Sequence, residues 1–253
     1  MTRSLLIRGM IAGVIAGILA FAFGRIFGEP QVQIAINFET AMDIAAGHAP
    51  DPELVSRAMQ RSLGLLTAAV LFGAGYGSLF SLVFAVAYGR IGRFGPRTLA
   101  ALLALAGFIA VVLVPDLKYP ANPPSVGEPG TIGLRTAVFF EMIALSLAAM
   151  TLAVLAARRW HARLGSWNAS LAGIGVYIAI VGVAYGVLPA INEVPANFPA
   201  TTLWNFRVAA LGMQVVVWGT FGLVFGPLAE RLLSPGAGAK TLAASRGVLK
   251  RRA

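Results

Sequence analysis

"LPAINEVPANFPATTLWNFR", residues 188–207, separates two strongly apolar segments of the chain, approximately 169–190 and 206–232. Two apolar runs of about 20 residues joined by a polar turn are typical of a helical hairpin in a membrane. A similar phrase, "VPDLKYPANPPSVGEPGTIGLR", occurs at 114–135, and both phrases contain Pro-Ala-Asn-x-Pro. The number of times that the chain alternates between apolar runs and such turns therefore decides the fold.

The composition indicates an integral membrane protein. The 253 residues are 58% hydrophobic with a mean hydropathy of +0.79, and only 12% are charged, whereas soluble domains contain roughly 25% charged residues. The net charge of +10 does not indicate nucleic-acid binding, because the basic residues gather between apolar segments and not on one soluble face. The absence of cysteine excludes disulfides, thiolate metal sites and thiol nucleophiles.

Six apolar segments are long enough to cross a membrane. They are continuously apolar and do not alternate, which favours helices over barrel strands. We therefore predict an all-α bundle of six transmembrane helices within a membrane domain at 1–233, followed by a basic cytoplasmic tail at 234–253. The predicted spans are approximately 5–27, 62–88, 97–115, 134–157, 169–190 and 206–232.

The distribution of charge predicts the orientation of these spans. Fourteen of the twenty basic residues lie at the N-terminus, in the second and fourth connections and in the tail. Eight of the ten acidic residues lie in the first, third and fifth connections. The positive-inside rule then places both termini in the cytoplasm. Alternatively, the first apolar run is a cleaved signal peptide, which would leave five spans.

The chain also shows signs of internal repetition. The second and fourth connections resemble each other, "AYGRIGRFG" at 87–95 and "AARRWHARLG" at 156–165. One interpretation is a set of helical hairpins repeated in one orientation, and the other is convergence on proline as a helix stop. Glycines spaced by four residues, which permit close helix packing, occur as Gly73/Gly77, Gly182/Gly186 and Gly222/Gly226.

The first connection, 28–61, contains candidate metal ligands. A short amphipathic helix is predicted on the outer surface, with Glu39 and Asp43 one turn apart on one face. His48 follows in "GHAPDPE". Carboxylate and imidazole together suit cobalt, nickel or zinc, although a solvated acidic helix with a free histidine fits the same pattern.

The two Pro-Ala-Asn turns add oxygen ligands for a cation. Asp116 precedes the first turn and Asn122 lies in it, while Glu193 precedes the second turn and Asn197 lies in it. Carboxylate and amide oxygens close in sequence could remove water from an incoming cation gradually. The alternative is that each asparagine only hydrogen-bonds the backbone of its own turn.

Glu141 is the ionisable residue that stands out within a predicted span, and such a group is a functional candidate by default. Arg135 and Arg207 begin the fourth and sixth spans, where either could pair with it. Gln214 follows Arg207 by seven residues and so lies on nearly the same helix face. A structural Arg–Glu pair and a role in permeation both remain open.

No pattern indicates an enzyme. "GAGAKT" at 236–241 lacks the glycine that a phosphate-binding loop requires before Lys240. Neither HExxH nor Gly-x-Ser-x-Gly is present, and no resident cofactor is expected.

Several phrases together resemble the CbtA family, the predicted cobalt-transporter subunit of bacteria, over about residues 3–233. They are "LLIRGMIAGVIAG" at 5–17, "FGEPQV" at 27–32, "LVFAVAYGRIGRFGPR" at 82–97, "LKYPANPPSVGEPGTIGLRT" at 117–136, "INEVPANFP" at 191–199 and "LWNFRVAALGMQ" at 203–214.

This resemblance implies uptake of Co²⁺ across the bacterial cytoplasmic (inner) membrane for cobalamin biosynthesis, with a small single-span membrane partner that is rich in histidine. It also places nine residues in family-like motifs: Glu29, Lys118, Asn122, Asn192, Glu193, Asn197, Trp204, Arg207 and Gln214. Two other functions fit the bundle, a non-transporting scaffold for a partner and a permease for a small organic anion bound by Arg135 and Arg207.

Overall fold

A computed structural model describes residues 2–47 and 54–233, and within these ranges the chain is helical with no strand. Five helices are long and apolar enough to cross a membrane. They are α1 (Thr2–Ala45), α2 (Arg57–Ala87), α3 (Pro96–Lys118), α4 (Pro129–Val187) and α5 (Ala200–Leu233). The all-α class is thereby confirmed, and each predicted apolar segment overlaps one of these helices.

The fourth and fifth predicted spans lie on one helical run, α4, which bends sharply at Gly165. This glycine has φ 71° and ψ 172°, a conformation outside the helical region that costs other residues strain. The arms on either side, 132–164 and 166–187, pack against each other, and the Ser146 and Tyr177 hydroxyls are 2.8 Å apart. The run is therefore a helical hairpin within the five helices; six crossings and the orientation of the termini stay predictions.

The amphipathic segment of the first connection continues α1 and is not a separate helix, contrary to expectation. Glu29–Ala45 follows Thr2–Phe23 through a π-helical turn, Gly24–Gly28. Pro30 has no N–H to donate to the preceding turn, and a wider turn accommodates this loss without ending the helix. The other π-helical segments of the described residues are Gln60–Gly64, Phe108–Leu113 and Phe221–Phe225.

One compact unit comprises residues 2–21, 64–105 and 216–233. In it the α1 and α2 backbones touch through glycine, because a Cβ added to Gly9 or Gly13 would overlap the carbonyl oxygen of Gly77 or Gly73. An aromatic cluster lies beside this contact, with the Phe84 and Phe225 rings 5.1 Å apart. Gly222 and Gly226 contact α3 residues, so both glycine pairs of this unit pack as predicted.

A second compact unit comprises residues 22–47, 54–63 and 106–215. Its main core joins the end of α3 to both arms of α4 through Val114, Tyr119, Val138, Met142, Ala149, Ala153, Tyr177, Ala184 and Leu188. Here the glycine prediction was wrong for Gly182 and Gly186, because a Cβ added to either would meet no atom within 4 Å. These two glycines point away from the hairpin contact, which uses Gly173 instead.

Candidate functional site at the Pro-Ala-Asn loops

The two Pro-Ala-Asn phrases form loops that lie against each other in the second unit. The first loop, 119–128, follows α3, and the second, 188–199, follows α4. Phe198 of the second loop, Val126 of the first and Ala35 of α1 share a small buried cluster. The Ser125 hydroxyl also donates to the Ala35 carbonyl oxygen over 3.0 Å. The repeated phrase therefore builds one joint structure from two distant parts of the chain.

Glu193 connects the second loop to the first loop and to the start of α4. Its Oε2 accepts hydrogen bonds from the Glu128 backbone N–H over 2.8 Å and from the Thr131 hydroxyl over 2.9 Å. The Nε atom of Arg135 lies 3.3 Å from the same oxygen. We call this set the Glu193 latch: Glu193, Glu128, Thr131 and Arg135.

The local sequence explains why the donors converge. Thr131 and Arg135 are four residues apart and so share one face at the start of α4. The first loop turns toward them through Ser125 and Gly127, whose φ values are 66° and 119°. Gly127 also leaves room for the Arg135 guanidinium, which any Cβ at this position would overlap.

These donors hold Glu193 in its ionised form. The Glu128 N–H, then the Thr131 hydroxyl and the positive charge of Arg135, keep the pKa of the Glu193 carboxyl below its usual range. Its side chain is only 16% exposed. The latch is therefore a satisfied anion site at neutral pH and not an empty ligand.

The first loop is held on its other side by Arg207 of α5. Nη2 of Arg207 donates to Oδ1 of Asn122 over 2.8 Å. Asp116, at the end of α3, accepts from the Ala121 N–H over 3.1 Å. The side chain of Asn122 thus bonds a side chain of α5, and it is the carboxylate of Asp116 that bonds the backbone of the first loop.

Sequence reasoning missed a set of contacts that joins the end of α3 to the second loop. Lys118 Nζ donates to the Tyr185 carbonyl oxygen over 2.7 Å, and the Tyr119 hydroxyl donates to the Pro189 carbonyl oxygen over 2.8 Å. The Tyr185 hydroxyl in turn donates to the Val114 carbonyl oxygen. Burial, and secondly the charge of Glu141, raise the pKa of Tyr119. The sequence feature that could have predicted these contacts is the Lys-Tyr pair directly before the first Pro-Ala-Asn phrase.

The remaining acidic candidates are not brought together. Glu29 forms an ion pair with Arg57 at 2.6 Å, while Glu39 is exposed and Asp43 half-buried on the same helix. His48 lies outside the described residues. Across residues 2–47 and 54–233 no three acidic or histidine side chains are grouped closely enough to hold a metal ion.

Glu141 is exposed on the first arm of α4, and neither candidate arginine pairs with it, since Arg135 lies against Glu193 and Arg207 against Asn122. Gln214 is half-buried on α5, and Asn197 is exposed in the second loop. The structure thus brings together Asn122 with Arg207 and Glu193 with Arg135, and it places Glu141 apart from both pairs.

Comparison with known proteins gives one match. The model of a family described as "Probable cobalt transporter subunit (CbtA)" matches residues 2–230. No curated protein and no solved structure matches the chain.

Proposed function

We propose, because the chain belongs to the CbtA family of probable cobalt transporter subunits, that it is the membrane subunit through which Co²⁺ enters a bacterial cell for cobalamin biosynthesis. The observation that carries this proposal is the family match over residues 2–230, which includes both Pro-Ala-Asn loops. Five helices able to cross a membrane fit a multi-pass transporter subunit of the inner membrane. The family is one of transporter subunits and not of enzymes.

The Glu193 latch supplies the physical step of this proposal. An incoming divalent cation carries twice the charge of the Arg135 guanidinium and competes with it for the Glu193 carboxylate. Displacement of Arg135 would remove one of the three interactions that hold Glu193 of the second loop against the first loop and the start of α4. The oxygens of Asn197 and Asp116 are then further ligands along the route. In this mechanism the metal cation takes the place of the Arg135 guanidinium beside Glu193 and so loosens the contact between the loops and α4.

A partner completes the proposed metal site. The family description calls its members subunits, and the whole sequence contains only two histidines. Oxygen ligands alone favour hard cations, whereas imidazole suits cobalt. We therefore propose a small single-span membrane protein with a histidine-rich end as the second subunit, which gathers Co²⁺ and passes it to the loops.

Cobalt accumulation in cells tests the route. Cells without their own cobalt uptake, expressing this chain with its partner, should accumulate cobalt, and Glu193→Gln should reduce the initial rate about tenfold because the neutral amide neither attracts nor binds the cation. Glu39→Gln, exposed and outside the latch, is the matched control. Equal accumulation by wild type and Glu193→Gln, with both proteins present in the membrane, would contradict the route through the latch.

A scaffold function is the second candidate, because the described carboxylates do not gather into a metal site. Vesicles containing the purified chain with its partner distinguish the two: a transporter subunit moves cobalt into the vesicles and a scaffold moves none. The anion-permease alternative is less well supported, since its two proposed binding groups, Arg135 and Arg207, already contact Glu193 and Asn122.

A further inference from the structure

Glu141 leaves an unpaired carboxylate on the exposed surface of a predicted membrane span in the second unit. The helix that carries it, α4, is long and apolar enough to cross a membrane. The Glu141 side chain is exposed, and no ion pair or side-chain hydrogen bond within residues 2–47 and 54–233 involves it. A charged group facing hydrocarbon is expensive and is normally paired. Residues 2–47 and 54–233 supply no partner for this charge.

The surroundings of Glu141 suit close approach by another helix. Ala137, Ala144 and Ala148 are exposed at spacings that place them on its face of α4. Small side chains let helix backbones approach each other in lipid. This surface, the Glu141 face, thus combines small residues with one carboxylate.

The complementary surface is present on α1 of the same chain. Arg25 is exposed within the π-helical turn Gly24–Gly28, and it too forms no ion pair or side-chain hydrogen bond among the described residues. Ile18 and Ala22 are exposed on its side of the helix. We call this surface the Arg25 face.

Arg25 and Glu141 lie at matching depth below the Pro-Ala-Asn loops. Ala35 bonds Ser125 and Thr131 bonds Glu193, so both mark the level of the loops. Arg25 is ten residues before Ala35, and Glu141 is ten residues after Thr131. At 1.5 Å per residue each charge lies about 15 Å along its own helix from the residue that contacts the loops.

We propose that a second copy of this chain covers the Glu141 face with its Arg25 face, so that Arg25 of one copy forms an ion pair with Glu141 of the next. Each copy carries both surfaces, so each supplies the charge that the other lacks. The assembly requires neither cobalt nor another subunit. Its success or failure is therefore independent of the proposed transport function.

Disulfide trapping tests this contact, because the natural chain has no cysteine. Two differently tagged copies are co-expressed, one with Ala22→Cys and the other with Ala144→Cys. Each cysteine lies three residues from its charge, on the side away from the loops. Oxidation of the membranes should give a disulfide-linked dimer that carries both tags.

The matched control replaces Ala144→Cys with Ala179→Cys on the second arm. The Ser146–Tyr177 hydrogen bond places Ala179 level with Ala144, and both are exposed. The control should yield at least tenfold less mixed dimer. Equal yields from the two pairs, or no mixed dimer from Ala22→Cys with Ala144→Cys, would overturn the proposal.

Charge reversal provides the second measurement. Arg25→Glu and Glu141→Arg, each alone, should convert the purified oligomer to monomer as judged by its mass in detergent, and the double variant should restore the oligomer. If the double variant restores the oligomer, the single variants lost the ion pair and not their fold. A double variant that stays monomeric while keeping the wild-type melting temperature, or single variants that remain oligomeric, would refute the pairing.

Discussion

At the scale of single residues, Glu193 shows how one carboxylate can hold two segments that are far apart in sequence. Its donors, Glu128 and Thr131, stand 65 and 62 residues away. A backbone N–H and a hydroxyl donate to Oε2, and the Arg135 guanidinium adds an ion pair at 3.3 Å. Hydrogen bonds to a charged acceptor are stronger than those between neutral groups. One ionised side chain therefore joins the second loop to both the first loop and the start of α4.

Because the pKa of Glu193 is lowered, the latch should weaken only when the pH falls far enough to protonate this carboxylate. A carboxyl whose pKa is lower in the folded than in the unfolded state stabilises the fold above its unfolded pKa, and this contribution is lost as the pH falls through the folded pKa. We expect spin labels at Gly130→Cys and Ala196→Cys to show a narrow distance distribution from about pH 5 to 8 that broadens only in stronger acid.

In Glu193→Gln the same label pair should show a broad distribution at every pH, because the amide cannot carry the charge. Glu39→Gln should behave like wild type. A distribution in Glu193→Gln as narrow as in wild type would show that the loops do not depend on the carboxylate.

The sequence singled out Glu193 and Arg135 of the latch but neither Glu128 nor Thr131, and it did not predict which residues meet. Glu193, Arg135, Asn122 and Arg207 were all candidates, yet the expected partner of the arginines was Glu141. Glu141 was expected to pair with an arginine because it is an acidic residue within a predicted apolar span. Which residue meets Arg135 depends on how the loops fold over the end of α4, and neither spacing nor composition encodes that tertiary placement.

At the scale of helices, glycine decides where backbones touch. Gly77 faces Gly9 and Gly13 of α1, whereas Gly75, two residues earlier on α2, has open space around it. The same residue type on one helix thus has two different environments. Glycines four residues apart lie on one helix face, but their spacing does not show whether that face packs against another helix. Gly182 and Gly186 have this spacing, and a Cβ added to either would meet no other helix.

Replacement of Gly77 by alanine should destabilise the protein, because the new methyl group would overlap the Gly9 carbonyl oxygen and lie 2.8 Å from the Gly13 Cα. Overpacking of this kind costs roughly 1–3 kcal/mol, which corresponds to a decrease in Tm of about 2–12 °C for a protein of this size. Thermal unfolding in detergent measures it. Gly75→Ala is the control, and an equal Tm for both variants would contradict the packing argument.

The bend in α4 gives a second prediction at this scale. Gly165 has φ 71°, and a side chain in this left-handed region costs about 1–2 kcal/mol. Gly165→Ala should therefore lower the Tm by several degrees, whereas Gly175→Ala, in a helical and open position, should not. A Gly165→Ala variant as stable as wild type would argue against the left-handed bend.

At the scale of the whole molecule, composition alone established the membrane class, and the apolar runs located every helix. The continuation of α1 beyond its apolar part was not predictable in the same way, because the segment Glu29–Ala45 is polar enough to be a separate surface helix. The hairpin within α4 was foreseen as two spans, since a basic connection interrupts the apolar pattern there.

Six crossings with both termini inside require the bend of α4 and the second Pro-Ala-Asn loop to face opposite sides of the membrane. We expect a membrane-impermeant maleimide to label Asn197→Cys in intact cells and Asn168→Cys only after permeabilisation. Both positions are exposed. Labelling of Asn168→Cys from outside would reverse the orientation, and labelling of both from outside would change the number of crossings.

The π-helical turn Phe108–Leu113 sets the direction in which the end of α3 faces. Such a turn holds one residue more than an α-helical turn, so loss of a single residue there would rotate everything beyond it by about 100°. Lys118 would leave the Tyr185 carbonyl, and Tyr119 would leave Pro189. Removal of one residue at this point would therefore rotate the end of α3 about its own axis and detach it from the neighbouring loop.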